Sequence, residues 1–194
     1  MLSASEIAQG TQGSLKFLQR DPTALYYFEN TPEACLRSFR VMLLVAPFYA
    51  FCRLIYYSGI QTDADYGLIL LVEGLRYLVD WLLFPVIFYE LSRRRGWLER
   101  YPRYIGALNW ENLPSAVIAT VGVLLSQVVP SPFPFLLTLG LLALDCYWFL
   151  TTTRMALGAD WLYSIALLLI NFVPSELLDS LIRRILGIVE LTTG

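Results

Sequence analysis

The hydropathy pattern of this chain consists of long apolar stretches that alternate with short polar turns. A membrane-spanning helix needs about 20 mostly apolar residues, and five stretches qualify as candidates. We predict spans over residues 38–60, 66–91, 113–129, 133–153 and 159–173. The proline-rich segment 130–134 is predicted to turn the chain between the third and fourth spans, because proline cannot continue a helix.

The last part of the chain follows a different pattern. Pro174 is predicted to end the fifth span, and Ser175 to cap a further helix. One face of that helix is apolar and holds Leu177, Leu178, Leu181, Ile182, Ile185 and Leu186. The other face is polar and holds Glu176, Asp179, Arg183 and Arg184. Such an amphipathic helix is expected to lie along the membrane interface; packing on the end of the bundle is the alternative.

These patterns predict an all-α fold, namely a polytopic membrane helix bundle with about five transmembrane helices and a C-terminal amphipathic interfacial helix. The predicted parts are an N-terminal segment (1–35), the spans (36–173) and the last helix (174–194). Composition agrees, because 57% of the residues are hydrophobic and only 15% are charged, whereas about a quarter are charged in a typical soluble domain. A soluble enzyme, a disordered tail and a nucleic-acid-binding protein are therefore excluded.

Basic residues flank the predicted spans unevenly. The segment before the first span holds Lys16, Arg20, Arg37 and Arg40. The loop between the second and third spans holds Arg93, Arg94, Arg95, Arg100 and Arg103. Because basic residues accumulate on the cytoplasmic side, we predict a multi-pass inner-membrane protein with a cytoplasmic N-terminus. With five spans, Arg183 and Arg184 are the exception to this rule.

The loop of residues 93–104 mixes its five arginines with Trp97, Tyr101 and Tyr104. Aromatic side chains of this kind prefer the headgroup layer, and basic clusters beside a span attract anionic lipid. One interpretation is that the loop only sets topology. The other is that it also binds anionic lipid headgroups.

Five ionisable residues fall inside the predicted spans, where such residues are rare and are usually paired or functional. They are Arg53, Glu73, Arg76, Asp80 and Asp145. Depths estimated at about 1.5 Å per residue match Arg53 with Glu73, and Arg76 with Asp145 or Asp80. The group is interpreted either as a polar network that fixes the helices in register or as part of a proton or ion path.

Catalytic motifs are absent from the sequence. There is no histidine, and the three cysteines are too far apart for a redox pair or a metal site. Asp80 and Asp145 lack the flanking motifs of intramembrane aspartyl proteases, and no nucleophile elbow or phosphate-binding loop occurs. We therefore predict a protein that is not an enzyme and that needs no cofactor and no metal.

Several short motifs occur in a recognisable order. They are YFENTPEACLRSF (27–39), APFYA (46–50), YIGALNW (104–110), YWF (147–149) and TRMALG (153–158). This order resembles small proteobacterial-type inner-membrane proteins related to the Yip1 family, over residues 25–173. The resemblance implies a five-span bundle with a cytoplasmic N-terminus. Eukaryotic relatives bind small GTPases, but the long cytoplasmic domain of those relatives has no counterpart here, so that activity is not carried over.

Two functional hypotheses remain. The first is a non-enzymatic membrane-organising protein or accessory subunit, whose partners are membrane lipids, anionic ones included, and another membrane complex or itself, but no nucleic acid. The alternative is a small transporter or channel subunit that uses Glu73, Arg76, Asp80 and Asp145.

Overall fold

The computed structural model describes residues 2–62 and 64–188, and these ranges consist of helices joined by short turns, with no strand. The α-helices of these ranges are α1 (Ala4–Leu18), α2 (Pro32–Ser38), α3 (Met42–Ser58), α4 (Tyr66–Arg95), α5 (Tyr101–Ser126), α6 (Phe133–Thr152) and α7 (Trp161–Ile185). A π-helical turn, Thr153–Leu157, follows α6. The all-α prediction is confirmed for these ranges.

Three helical segments of the described chain are long and apolar enough to cross a membrane. They are Pro32–Ser58, which joins α2 to α3, Phe133–Leu157, which comprises α6 and the π-helical turn, and α7. Helices α4 and α5 cover the second and third predicted spans, but α4 carries three charged residues in its middle and α5 begins with a polar half. The total of five spans therefore stays a prediction.

Helix α7 continues through Pro174, so the prediction that this proline ends the helix is wrong. A proline within an apolar helix removes one backbone hydrogen bond, which neighbouring groups can replace. The residues after Pro174 pack against α4, where Ile182 joins Ile69 in a small apolar cluster. The predicted interfacial helix (174–194) thus corresponds to the second half of α7. Residues 189–194 of that predicted helix lie outside the described part of the chain.

Helix α5 starts at Tyr101, twelve residues before the predicted third span, so that boundary is wrong as well. Tyr104, Ile105 and Ala107 precede the predicted third span, yet they are almost completely buried. Helices α1 and α2 pack onto this part of α5 and cover it.

Helix α1 is part of the packed structure. Ser3 and Glu6 form a capping box at its start. Gly10 and Gly13 face Trp110 and Phe28 so closely that a Cβ atom at either glycine would overlap the aromatic ring. The fully buried indole of Trp148 donates a 2.9 Å hydrogen bond to the carbonyl oxygen of Ser14. These contacts fix α1 against α5 and α6.

Helices α4 and α7 run antiparallel along each other. At one end Arg95 donates a 2.9 Å hydrogen bond to the Tyr163 hydroxyl, and at the other end Thr62 donates a 2.6 Å bond to the carbonyl oxygen of Leu186. We call the first the basic end and the second the distal end. An aromatic core that includes Phe84 and Phe88 holds the helices together near the basic end. The charged side chains in the middle of α4 lie between this core and the distal end.

Candidate functional site

Glu73 of α4 is buried, and its carboxylate is surrounded by side chains of α3. Arg53 contacts its Oε1 atom in an ion pair. The hydroxyls of Tyr57 and Tyr49 donate 2.6 Å hydrogen bonds to Oε1 and Oε2. The guanidinium of Arg53 also lies over the ring of Tyr56, 4.6 Å from its centroid. The predicted contact between Arg53 and Glu73 is therefore present, and it joins α3 to α4.

Arg76 has two acidic neighbours. Its Nε atom lies 3.5 Å from Oδ2 of Asp80, one helical turn further along α4, as predicted. Its Nη1 atom contacts Oδ1 of Asp179 in α7. The predicted pairing of Arg76 with Asp145 is wrong, because continuation of α7 past Pro174 brings Asp179 to the level of Arg76.

Helix α7 extends this arrangement on both sides of Asp179. Ser175 donates a 3.0 Å hydrogen bond to Asp80, and Nε of Arg183 donates a 2.6 Å bond to Oδ2 of Asp179. We call the six ionisable residues between α3, α4 and α7 the charge cluster; they are Arg53, Glu73, Arg76, Asp80, Asp179 and Arg183. Three cations face three anions, so the fully ionised cluster is neutral.

Asp145 lies apart from the charge cluster. Its Oδ1 atom accepts a 3.1 Å hydrogen bond from Ser115 of α5. It lines a cavity of about 340 Å³ between α4, α5, α6 and α7, which also has Asp80 and Glu111 in its wall. We call this space the acid-lined cavity. Asp80 belongs to both features, because it lines the cavity and contacts Arg76.

Glu111 was not identified from the sequence. It precedes the predicted third span, and a single acid between Trp110 and Asn112 has no periodic pattern that would mark it as buried. In the structure only 8% of Glu111 is exposed, and its Oε2 atom accepts a 2.6 Å hydrogen bond from Thr152. Burial, with a smaller effect of Asp145, raises the pKa of Glu111 to about 8.

The walls of the acid-lined cavity combine aromatic, amide and carboxyl groups. None of the described residues that line it is basic, and the lining includes Trp81, Phe84, Phe149, Phe172, Asn109, Asn112 and Asn171. No three metal-ligating side chains gather within the described residues in a way that could hold a metal ion. The carboxyl and amide oxygens of this lining are groups that can accept hydrogen bonds from a cation.

A second space opens between α3 and α4. This α3–α4 groove has a volume of about 970 Å³ and is mainly apolar. Leu54 and Leu70 line it and are largely exposed, whereas Arg53 and Glu73 form its polar part. The groove is on the α3 side of the charge cluster, and the acid-lined cavity is on the α5 and α6 side.

The five arginines predicted to set topology or also to bind lipid headgroups have different surroundings. Arg93 and Arg94 are exposed and pair with Glu90 of the same helix. Arg95 lies against Tyr163. Arg100 donates a 2.6 Å hydrogen bond to the carbonyl oxygen of Leu157, and Arg103 donates a 3.1 Å bond to that of Phe28. The last two therefore hold backbone segments together.

Comparison with known proteins finds no relative of this chain. No protein family, curated protein or solved structure matches this chain.

Proposed function

We propose that this chain is a multi-pass protein of a bacterial inner membrane, with its N-terminus in the cytoplasm, that acts as a small transporter or channel subunit for cations. One observation carries the proposal. From the acid-lined cavity, ionisable side chains follow one another toward the distal end in the order Asp80, Arg76, Asp179 and Arg183. Inside a membrane, such a series is typical of ion and proton pathways.

The organisation of the series suits this role. When fully ionised, the charge cluster is neutral, because three cations face three anions. We infer that it closes the route at rest. The cavity on its basic-end side has Glu111 and Asp145 without a basic side chain in its described lining. A cation that enters the cavity can bind the carboxyl groups of Glu111 and Asp145. It moves onward only when Asp80 separates from Arg76 and pairs with the cation instead.

Reconstitution in proteoliposomes tests this proposal. We expect the purified protein to dissipate an imposed pH gradient, followed with an internal pH-sensitive dye, in the presence of a permeant cation. Asp80→Asn and Asp145→Asn should each reduce the flux several-fold, whereas Glu33→Gln, an exposed acid near the N-terminus, should leave it unchanged. Flux equal to that of empty liposomes would refute a transport role.

A second candidate is the membrane-organising protein or accessory subunit, which is non-enzymatic like the first. The α3–α4 groove favours it, because its exposed leucines form an apolar surface against which another membrane helix can pack. Gly74 lies beside these leucines, and its lack of a side chain lets the backbone of such a helix come close. Purification in native lipid, followed by mass spectrometry, distinguishes the two. A stoichiometric second membrane protein would support the accessory role, and a homo-oligomer alone would count against it.

A further inference from the structure

The acid-lined cavity has two carboxyl groups without a counter-ion in its described lining. Asp80 is adjacent to Arg76, but Glu111 and Asp145 are held only by hydroxyls, those of Thr152 and Ser115. Glu111 is buried, whereas Asp145 is exposed. A buried carboxylate such as that of Glu111 is unfavourable without a cation, so it either takes up a proton or pairs with a positively charged ligand.

Only one of the two carboxyl oxygens of Glu111 forms a hydrogen bond within the described chain. Its Oε2 atom accepts the hydrogen bond from Thr152, while Oε1 makes no hydrogen bond to any described residue. The side chain is more than nine-tenths buried and lies in the cavity wall. Oε1 is therefore an acceptor in the cavity wall that a ligand in the cavity can use.

The rest of the lining selects the class of ligand. Four aromatic rings, from Trp81, Phe84, Phe149 and Phe172, surround the space, and aromatic faces attract organic cations. The amides of Asn109, Asn112 and Asn171 and the hydroxyl of Ser115 add polar contacts. A volume of about 340 Å³ is in the range of pockets for small molecules. An ammonium group on a short carbon chain uses the carboxyl groups and the rings together.

We propose that the acid-lined cavity binds a small organic ammonium cation and that Glu111 releases a proton when the cation binds. The inference rests on the proposed transport function and specifies its substrate class. The exchange is balanced: the protonated carboxyl of Glu111 loses its proton to solvent, and the carboxylate that results pairs with the incoming ammonium group. No covalent bond to the ligand forms.

The groups that face Glu111 agree with this exchange. Asp145 of α6 and Asp80 of α4 line the same cavity. Tyr104, about two helical turns before Glu111 in α5, forms a 2.8 Å hydrogen bond with Thr153. Cys146 completes the titratable groups of the described lining. None of these groups is positively charged, so a positively charged ligand has no competitor inside the cavity.

Calorimetric titration of the full-length protein in lipid nanodiscs tests the inference. The probes are n-butylammonium chloride, sodium chloride and the uncharged 1-butanol, each measured at pH 7 in two buffers of different ionisation enthalpy. We expect saturable binding of butylammonium alone, with release of about one proton per bound cation because Glu111 starts protonated. Binding should tighten as the pH rises toward 8.5.

Variants assign the effect to the cavity. Glu111→Gln should weaken binding about tenfold or more, the value of a lost charge-assisted hydrogen bond, and should abolish proton release. Asp145→Asn should weaken binding but keep proton release. Glu33→Gln should behave like the natural sequence. The Asp145→Asn variant and the 1-butanol control keep the test decisive if Glu111→Gln does not fold.

Several results would overturn the inference. They are equal binding of 1-butanol, displacement of butylammonium by equimolar sodium, and unchanged affinity and proton release in Glu111→Gln. Cation-dependent flux in liposomes without butylammonium binding would overturn this inference and leave the transport role standing. Binding without flux would do the reverse.

Discussion

The guanidinium of Arg76, in the middle of α4, contacts the carboxylate of Asp179, in the second half of α7. Both side chains are largely buried, with 13% and 14% of their surface exposed. The contact connects a helix that has three charges in its middle to one that is apolar enough to span a membrane. It therefore joins the part of α7 that follows Pro174 to the middle of α4, and Pro174 is an internal residue of a continuous helix.

Arg76 is expected to be the most sensitive member of the charge cluster. Its replacement in Arg76→Met leaves Asp80 with only the Ser175 hydroxyl, whereas Asp179 keeps Arg183. Breaking a buried ion pair in this way should lower the free energy of unfolding by about 3 kcal/mol. Unfolding in mixed detergent micelles, followed by circular dichroism, measures the change.

Second-site variants identify the partner. Adding Asp80→Asn to Arg76→Met should recover part of the lost stability, because the stranded charge is removed. Adding Asp145→Asn should recover none, since Asp145 is held by Ser115 and not by Arg76. Recovery by Asp145→Asn alone would contradict the arrangement of the cluster.

Glu111 should make stability depend on pH. Its pKa is about 8 in the folded protein against an ordinary value of 4.5, so between these values the folded state binds more protons than the unfolded state. The free energy of unfolding must then fall as pH rises from about 4.5 to about 8 and level off above that. Asp145 and Tyr104 face Glu111 and contribute their own titration.

The comparison of Glu111→Gln with the natural sequence isolates this effect. Thermal unfolding midpoints measured from pH 5 to pH 9 should converge at low pH and separate at high pH, with the variant higher. Parallel pH profiles would show that Glu111 titrates normally. Glu33→Gln is the control, because this acid is exposed.

Close packing of α1 on α5 gives a third prediction. A Cβ atom at Gly10 would overlap the ring of Trp110, so Gly10→Ala should destabilise the docked helix by about 1–3 kcal/mol. Gly140→Ala is the matched control, because this helical glycine of α6 faces open space and alanine is the better helix former. Tryptic cleavage after Lys16 or Arg20 should accelerate in the first variant and not in the second.

The arginines near the basic end should separate into two groups. Arg93→Gln combined with Arg94→Gln should reduce retention of anionic phosphatidylglycerol in native mass spectrometry, since both side chains are exposed and each basic residue near a membrane surface contributes about 1 kcal/mol. Stability should not change. Arg100→Gln should lower stability by about 1 kcal/mol, because the carbonyl of Leu157 loses its partner.

Two outcomes would contradict this division of the arginines. If Arg100→Gln reduced lipid retention and left stability intact, the assignment of Arg100 to the fold would be wrong. If Arg93→Gln with Arg94→Gln changed neither property, the loop would only set topology.

Much of the secondary structure was predictable from the chain itself. Apolar stretches predict helices because each backbone polar group is satisfied within a helix, and the proline-rich turn before Phe133 interrupts them as expected. The contact between Arg53 and Glu73 was also predictable. The depths estimated from the rise per residue are similar for these two residues, and their predicted spans follow one another along the chain. These features depend on local composition and on rise per residue, which the amino-acid order contains directly.

Tertiary structure decided the rest. Whether Pro174 ends or only interrupts α7 depends on contacts of Asp179 and Ile182 with α4, and those contacts join residues about 100 positions apart. The partner of Arg76 and the burial of Glu111 follow from the same packing. A side chain's depth can be read from its distance along one helix, but its rotation toward one neighbour or another is set by all the helices that surround it.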